Sequence, residues 1–278
     1  MLHRYPLTAF FLLAYAISWV LWLPLLLSAQ GLIAVQPPQI LHLLGSLGPA
    51  LAALMVTKIC GGQVGWRDLW RRMFNWRVHW VWHAIAWLSP IALFLTAGLL
   101  TGWEGQPWQN FGRSSEYPDL PVGGYWVASI VFYGWGEETG WRGFALPHLQ
   151  TRQTALTATI KLSLFWALWH LPLFGFTSGL AQLGVAEILG WYLSLLTGAI
   201  LFTWLTNSTQ GSILIAAVFH GTMDIAFVSP MPTMTTSMLG ALITIWGIVV
   251  LFTTRPRYLS RVGKIVIAPA TNTVAVDD

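Results

Sequence analysis

The chain has 278 residues, 55% of them hydrophobic and only 9% charged, against about 25% charged in an ordinary soluble domain. That composition excludes a water-soluble globular fold, and the lone Cys60 excludes an internal disulfide or a cysteine metal site. The formal net charge of +4 is gathered in a few loops, so it marks membrane topology and not an acidic partner such as nucleic acid.

Apolar runs long enough to cross a bilayer, roughly 17–25 residues each, follow one another along the chain. Arg4 precedes the first, Leu7 to Ala29. It exceeds the 7–15-residue core typical of a signal peptide and lacks an A-x-A-like exit; a retained helix is expected. The second, Ile40 to Ile59, leads into a loop carrying Lys58, Arg67, Arg71, Arg72 and Arg77. Trp66, Trp70, Trp76, Trp80 and Trp82 crowd the same stretch, where indoles suit the headgroup level as anchors and not as a base-stacking platform. The third run, Trp80 to Thr101, is followed by a loop, Gly102 to Pro121, with Glu104, Glu116 and Asp119 against Arg113 alone.

The fourth run is Val122 to Ala145, with Arg152 and Lys161 in the loop after it. Thr159 to Phe176, Glu187 to Thr206, Ser212 to Val228 and Ser237 to Thr253 complete the set, and Arg255, Arg257, Arg261 and Lys264 follow the last. The expected architecture is all-α and polytopic, with about eight transmembrane helices around a buried polar site. By the positive-inside rule the basic loops and both termini face the cytoplasm, which makes this an integral protein of a bacterial-type cytoplasmic membrane. No internal repeat divides the chain. Residues 1–261 read as one membrane-embedded domain whose motifs lie in 122–228, and 262–278 as a poorly ordered cytoplasmic tail.

Ionisable residues inside a span cost several kcal/mol each on insertion scales and are functional candidates by default. Here they are Glu137, Glu138 and Arg142 in "YGWGEETGWRGF", His170 in "LFWALWHLPLF", and His220 with Asp224 in "VFHGTMD". Residues four apart share a helix face. Arg142 can therefore pair with Glu138, while Glu137 is turned about 100° away and left free to act as a general base. Asp224 likewise stands one turn from His220, where a carboxylate can bond one imidazole nitrogen and fix the tautomer. The competing reading of Glu138 and Arg142 is a structural ion pair, and that of His170 a core histidine bonded to a carbonyl. His3, His42, His79, His83 and His148 sit at helix ends and are left outside the site.

Three segments in this order, "EETGWR" at Glu137 to Arg142, "WALWH" at Trp166 to His170 and "HGTMD" at His220 to Asp224, resemble the CAAX protease and bacteriocin-processing family of intramembrane endopeptidases. The stretch "GFALPHLQTR" after the first motif is similar to the family's continuation, and the helix count agrees with the family fold. Two positions depart from the pattern. Trp166 stands where a phenylalanine is usual, which reads as a packing change, and Asp224 stands where an asparagine is usual.

The resemblance implies that Glu137 and His170 activate a water for attack on a peptide bond, with His220 and Asp224 at the oxyanion. An ionised Asp224 cannot donate to an oxyanion, so it must be protonated, be paired, or serve to orient His220. The preferred reading needs no cofactor. Zinc held by Glu137, His170 and His220 is the alternative the family naming suggests, although no HExxH helix is present. The implied substrate is a membrane-associated or lipid-anchored protein or peptide, prenylated CAAX proteins being the class suggested by the named relatives, reached from a cavity open to the cytoplasmic half. A transporter using a buried Glu/His relay and a non-catalytic membrane scaffold or immunity protein remain as alternatives.

Overall fold

The computed structural model describes residues 3–103, 111–114 and 116–267; Glu104 and the end of the tail lie outside them. All regular structure among the described residues is helical, as a chain in hydrocarbon requires when every backbone group must be satisfied within its own segment. In chain order the helices are α1 (Pro6–Ala29), α2 (Ile40–Gly45), α3 (Gly48–Val56), α4 (Gly62–Met73), α5 (Trp80–Leu100), α6 (Val122–Ala128) and α7 (Gly136–Gly140). Then come α8 (Leu146–Arg152), α9 (Ala155–Trp169), α10 (Ser178–Ala181), α11 (Val185–Ser208), α12 (Ile213–Val228) and α13 (Thr233–Thr253).

Among the described residues, five segments are long and apolar enough to cross a membrane: Pro6–Ala29, Ile40–Met73, Trp80–Leu100, Val185–Ser208 and Thr233–Thr253. The apolar helix Ile213–Val228 is shorter. The two other expected spans are helical but interrupted. From Val122 to Arg152 the chain alternates α6, a π segment Ser129–Trp135, α7, a second π segment Trp141–Ala145, and α8. The run expected to end at Phe176 leaves the α-helix at Trp169 and continues as a 3-10 turn, Leu171–Gly175, because Pro172 has no N–H to give to the carbonyl four residues back and its ring crowds that carbonyl.

The basic stretch after Ile59 is not a loop but α4, which packs Leu69 and Arg72 inward and leaves Trp70 exposed. Lys161 belongs to α9, on its exposed side. Where the sequence suggested a loose tail from Val262, residues 262–267 form a strap: Lys264 Nζ donates to Gln150 O at 2.5 Å and Gln153 O at 2.6 Å, and Ile265 N to Asn207 Oδ1 at 3.1 Å.

Helices in a membrane gain little from burying apolar surface against one another, so close approach and polar bonds must hold them. The segment 122–152 provides the close approach. A Cβ at Gly134 would lie 2.3 Å from the carbonyl oxygen of Ala217 on α12, and one at Gly140 would lie 2.4 Å from Cβ of Pro49 on α3. Both contacts require glycine. Around this axis Trp22, Trp141 and Trp169 are fully buried, with Trp169 edge-on to Trp141 at 5.7 Å between ring centroids.

The bundle has two distinct ends. At one end, Arg72 Nη2 donates to Gly143 O at 2.8 Å, Ser212 Oγ to Asn75 O at 2.6 Å, and Ala155 N to Arg257 O at 3.0 Å. The basic residues of α4 and of the stretch after α13 gather there. At the other end, Gln30 Nε2 donates to Gly175 O at 2.8 Å and Gly112 N to Ser229 Oγ at 2.9 Å, and Glu116 bonds His42 and Gln39.

Candidate active site

Glu137 and Glu138 lie on α7, the single α-helical turn between the two π segments. Such π turns recur at functional sites because they re-aim side chains within an otherwise regular helix. The neighbouring carboxylates have different partners. Arg142 Nη1 donates to Glu138 Oε1 at 2.7 Å, and His220 Nδ1 reaches the same oxygen at 2.7 Å. Glu138 and Arg142 are completely buried. The guanidinium lies 4.3 Å from the ring centroids of both Trp166 and Phe202, so aromatic faces supplement its one ion pair.

Glu137 takes neither cation. Its Oε2 accepts from Trp166 Nε1 at 2.8 Å. Trp166 is thus more than packing: a phenylalanine at this position has no N–H to give. The same indole lies 5.6 Å from the His170 ring and 5.7 Å from the His220 ring, centroid to centroid. Glu137, His170 and His220 are grouped around one side chain.

The histidines are oriented by their bonds. His170 directly follows α9, and its Nδ1 lies 2.6 Å from Trp166 O. A carbonyl only accepts, so Nδ1 carries the hydrogen and Nε2 of the neutral ring offers a lone pair. The carbonyl-bonded core histidine foreseen as the competing reading therefore describes one nitrogen and leaves the other available. His220 Nδ1 is fixed by Glu138, not by Asp224. Its Nε2 is 3.6 Å from Asp224 Oδ2, too long for a hydrogen bond, so the expected tautomer-fixing role passes from Asp224 to Glu138. Asp224 is more open than His220 or Glu138, with 30% of its side chain accessible against 7% and none.

Among the described residues no three His, Cys, Asp or Glu side chains converge at metal-ligand spacing. Glu137, His170 and His220 each use one atom on a protein partner, which leaves Glu137 Oε1, His170 Nε2 and His220 Nε2 without a short protein bond.

Sequence reasoning also set His42 aside. It is buried, its ring lies 5.6 Å from that of Tyr133, and it bonds Glu116. Burial alone would push Glu116 up, but the bonds from His42 and Gln39 outweigh it and hold the carboxyl below its usual range. The acidic loop is tethered next to the site in this way. No local pattern announces it, because Glu116 lies far along the chain from both partners.

Residues 120–226, which include all six ionisable candidates, match the family model described as Type II CAAX prenyl endopeptidase Rce1-like. The chain is also 26% identical over 229 residues to CAAX prenyl protease 2 of Methanococcus maripaludis, an alignment covering 78% of this chain and 82% of that protein.

Proposed function

We propose, from the premise that residues 120–226 belong to the type II CAAX prenyl endopeptidase Rce1-like family and that the chain is a membrane-embedded peptidase, that it hydrolyses a peptide bond of a membrane-associated or lipid-anchored substrate with water activated by Glu137 and His170. The observation that carries this reading is the division between the two carboxylates. Glu138 takes both Arg142 and His220, and Glu137 keeps a single neutral donor, Trp166.

With Oε2 held by the indole, Oε1 of Glu137 is the basic atom. It accepts a proton from water as the water oxygen attacks the scissile carbonyl, and His170 Nε2 accepts the second water hydrogen as a hydrogen bond and fixes the attack direction. The tetrahedral oxyanion is met by His220, which is held by Glu138 and, when protonated, donates from Nε2. Asp224 supports that protonated ring from 3.6 Å. Collapse breaks the C–N bond, the proton on Glu137 passes to the leaving amine, and a carboxylic acid and an amine are released, the acid then losing its remaining proton to solvent. The low water content of the site strengthens each of these interactions. No step is routed through zinc, because among the described residues no three His, Cys, Asp or Glu side chains are spaced to hold a metal. Prenylated C-terminal peptides are the first substrate class to try, and orientation with both termini in the cytoplasm follows from the basic loops.

The test is mass-spectrometric cleavage of farnesylated and unfarnesylated C-terminal peptides by the purified protein in liposomes, beside Glu137→Ala. Cleavage that disappears in Glu137→Ala and withstands a zinc chelator is expected. Wild-type turnover in Glu137→Ala would remove Glu137 from the mechanism. Chelator-sensitive cleavage restored by zinc would replace the metal-free route. No cleavage, with flux of a solute, would favour a carrier.

A further inference from the structure

The helix that carries the basic stretch has three differently made sides. Gly62, where α4 begins, takes φ 57° and ψ −155°, a conformation open to glycine and strained for other residues. The chain turns there, and residues 40–61 before the turn already have spanning length. Leu69 and Arg72 of α4 are buried in the bundle. Four-residue steps place Trp66, Trp70 and Phe74 on one stripe beside that buried side, and Arg67 and Arg71 on the next.

The aromatic stripe is continuous. Trp66 and Trp70 lie 5.7 Å apart between ring centroids, Trp70 stacks on Phe74 at 5.5 Å and 11°, and Phe74 lies 5.8 Å from Trp135. Trp70 and Phe74 are nonetheless exposed, so the stripe faces the surroundings of the bundle. Beside it the cations are uncompensated. Asp68, the one acid of α4, is taken by Arg71 and Arg72 at 2.8 Å each. Arg67 is exposed, as is Lys58, whose Nζ lies 5.1 Å from the Trp66 ring, and no carboxylate among the described residues pairs with either. A core side, then indoles, then cations is the order of a helix lying in the plane of a membrane interface, with rings at headgroup depth and basic groups at the phosphates.

α4 also touches the segment of the candidate site at both of its π turns. Met73 O accepts from Nε1 of Trp135, the last residue of the first π segment, at 3.0 Å, and Arg72 Nη2 donates to Gly143 O in the second at 2.8 Å. Glu137 and Glu138 lie between these two points.

We infer that Lys58, Arg67 and the stripe of Trp66, Trp70 and Phe74 form a binding surface for the phosphodiester headgroup of an anionic phospholipid of the surrounding bilayer, and that its occupancy steadies α7 through Trp135 and Gly143. Charge complementarity and the ring stripe together name the occupant. A soluble anion would meet the same cations but has no use for exposed rings, and a zwitterionic headgroup brings a cation of its own to Lys58 and Arg67. The lipid contact stands apart from the peptidase reading; its effect on turnover rests on that reading.

Native mass spectrometry of the purified protein titrated with phosphatidylglycerol or phosphatidylcholine tests the surface. The wild type is compared with Lys58→Gln plus Arg67→Gln, and with Arg255→Gln plus Arg257→Gln, which removes two exposed cations from the same end. Phosphatidylglycerol is expected to bind the wild type more tightly, with a loss of about fivefold for each of Lys58 and Arg67 removed, the scale of one basic residue near an anionic surface. Equal affinity for the two lipids overturns the inference, as does a loss confined to the Arg255→Gln plus Arg257→Gln protein. Release of the lipid by excess inorganic phosphate overturns the choice of occupant in favour of a soluble anion.

Hydrogen exchange of residues 129–145 in nanodiscs reads the coupling. Phosphatidylglycerol should slow it in the wild type and not in the Lys58→Gln plus Arg67→Gln protein, and the same exchange in both overturns the coupling. Cleavage of the farnesylated peptide in the same nanodiscs should rise with phosphatidylglycerol, and cleavage indifferent to it also overturns the coupling. No cleavage in any lipid would strike the peptidase reading for this peptide and leave the inference to the other two measurements.

Discussion

The polar network at the basic end and the charged cluster at the centre are both buried and both join several helices, yet they are built differently. Gln150, Asn207, Tyr258 and Ile265 are neutral partners that satisfy one another by reciprocal bonds. Glu138, Arg142 and His220 form a charged set, and Glu137 beside them is left with one indole N–H. A neutral, closed network holds helices together at modest cost. A carboxylate held in a buried site without a cation has no such purpose, which is why Glu137 is the base in the function proposed above.

Removing the reactive group and removing its support should therefore have opposite signatures. Glu137→Ala is expected to lower cleavage by about 10²–10⁴-fold, the range for a lost general base, with protein level unchanged in membranes. Arg142→Ala leaves Glu138 with His220 alone, and breaking a buried pair from one side costs about 3–5 kcal/mol. Its steady-state level and thermal midpoint should both fall, and a stable Arg142→Ala protein would refute the supporting role.

In the neutral network, Gln150→Ala orphans an amide and a strap contact. It should cost about 1–3 kcal/mol of stability while the turnover of the surviving folded protein stays at the wild-type value. A selective loss of turnover would tie the strap to catalysis.

Trp166→Phe sharpens the comparison further, since it keeps a ring between the histidines and removes the N–H from Glu137. A fall of about tenfold in kcat with KM unchanged is expected, the scale of one hydrogen bond to a charged group. Equal kcat in the two proteins would return this residue to packing alone.

The smallest effect concerns the acidic loop. Glu116 is held below its ordinary range, so its contribution is present at neutral pH, above the unfolded value of about 4.3, and is lost as pH falls through the lowered folded value. Hydrogen exchange of residues 111–121 should rise on acidification below that value in the wild type, and Glu116→Gln should abolish the pH dependence.

Much of this was legible in the sequence, for reasons of geometry. Apolar run length located the helices, and the four-residue spacing of Glu138 and Arg142 predicted a pair that forms at 2.7 Å. The same rule failed for His220 and Asp224. The spacing is right, but a nearer carboxylate from another helix takes the imidazole, and local spacing carries no information about which helices meet. Trp166 was underread for a related reason: an indole looks apolar until its N–H is seen facing Glu137. α4 was read as a loop because arginines dominate it, although Leu69 and Arg72 recur on one buried side.

The π turns at Ser129–Trp135 and Trp141–Ala145 make the length of this segment as informative as its residues. Each amounts to an extra residue accommodated within a helix that still ends in the same place. Deleting one residue between 129 and 133 would let the turn relax to an α-helix with α6 and α7 still in register. A deletion between 136 and 140 meets no stored residue and turns the carboxylates by about 100° against their partners. The first should therefore be tolerated far better than the second, and the stored residue gives this segment a tolerance in length that its neighbours lack.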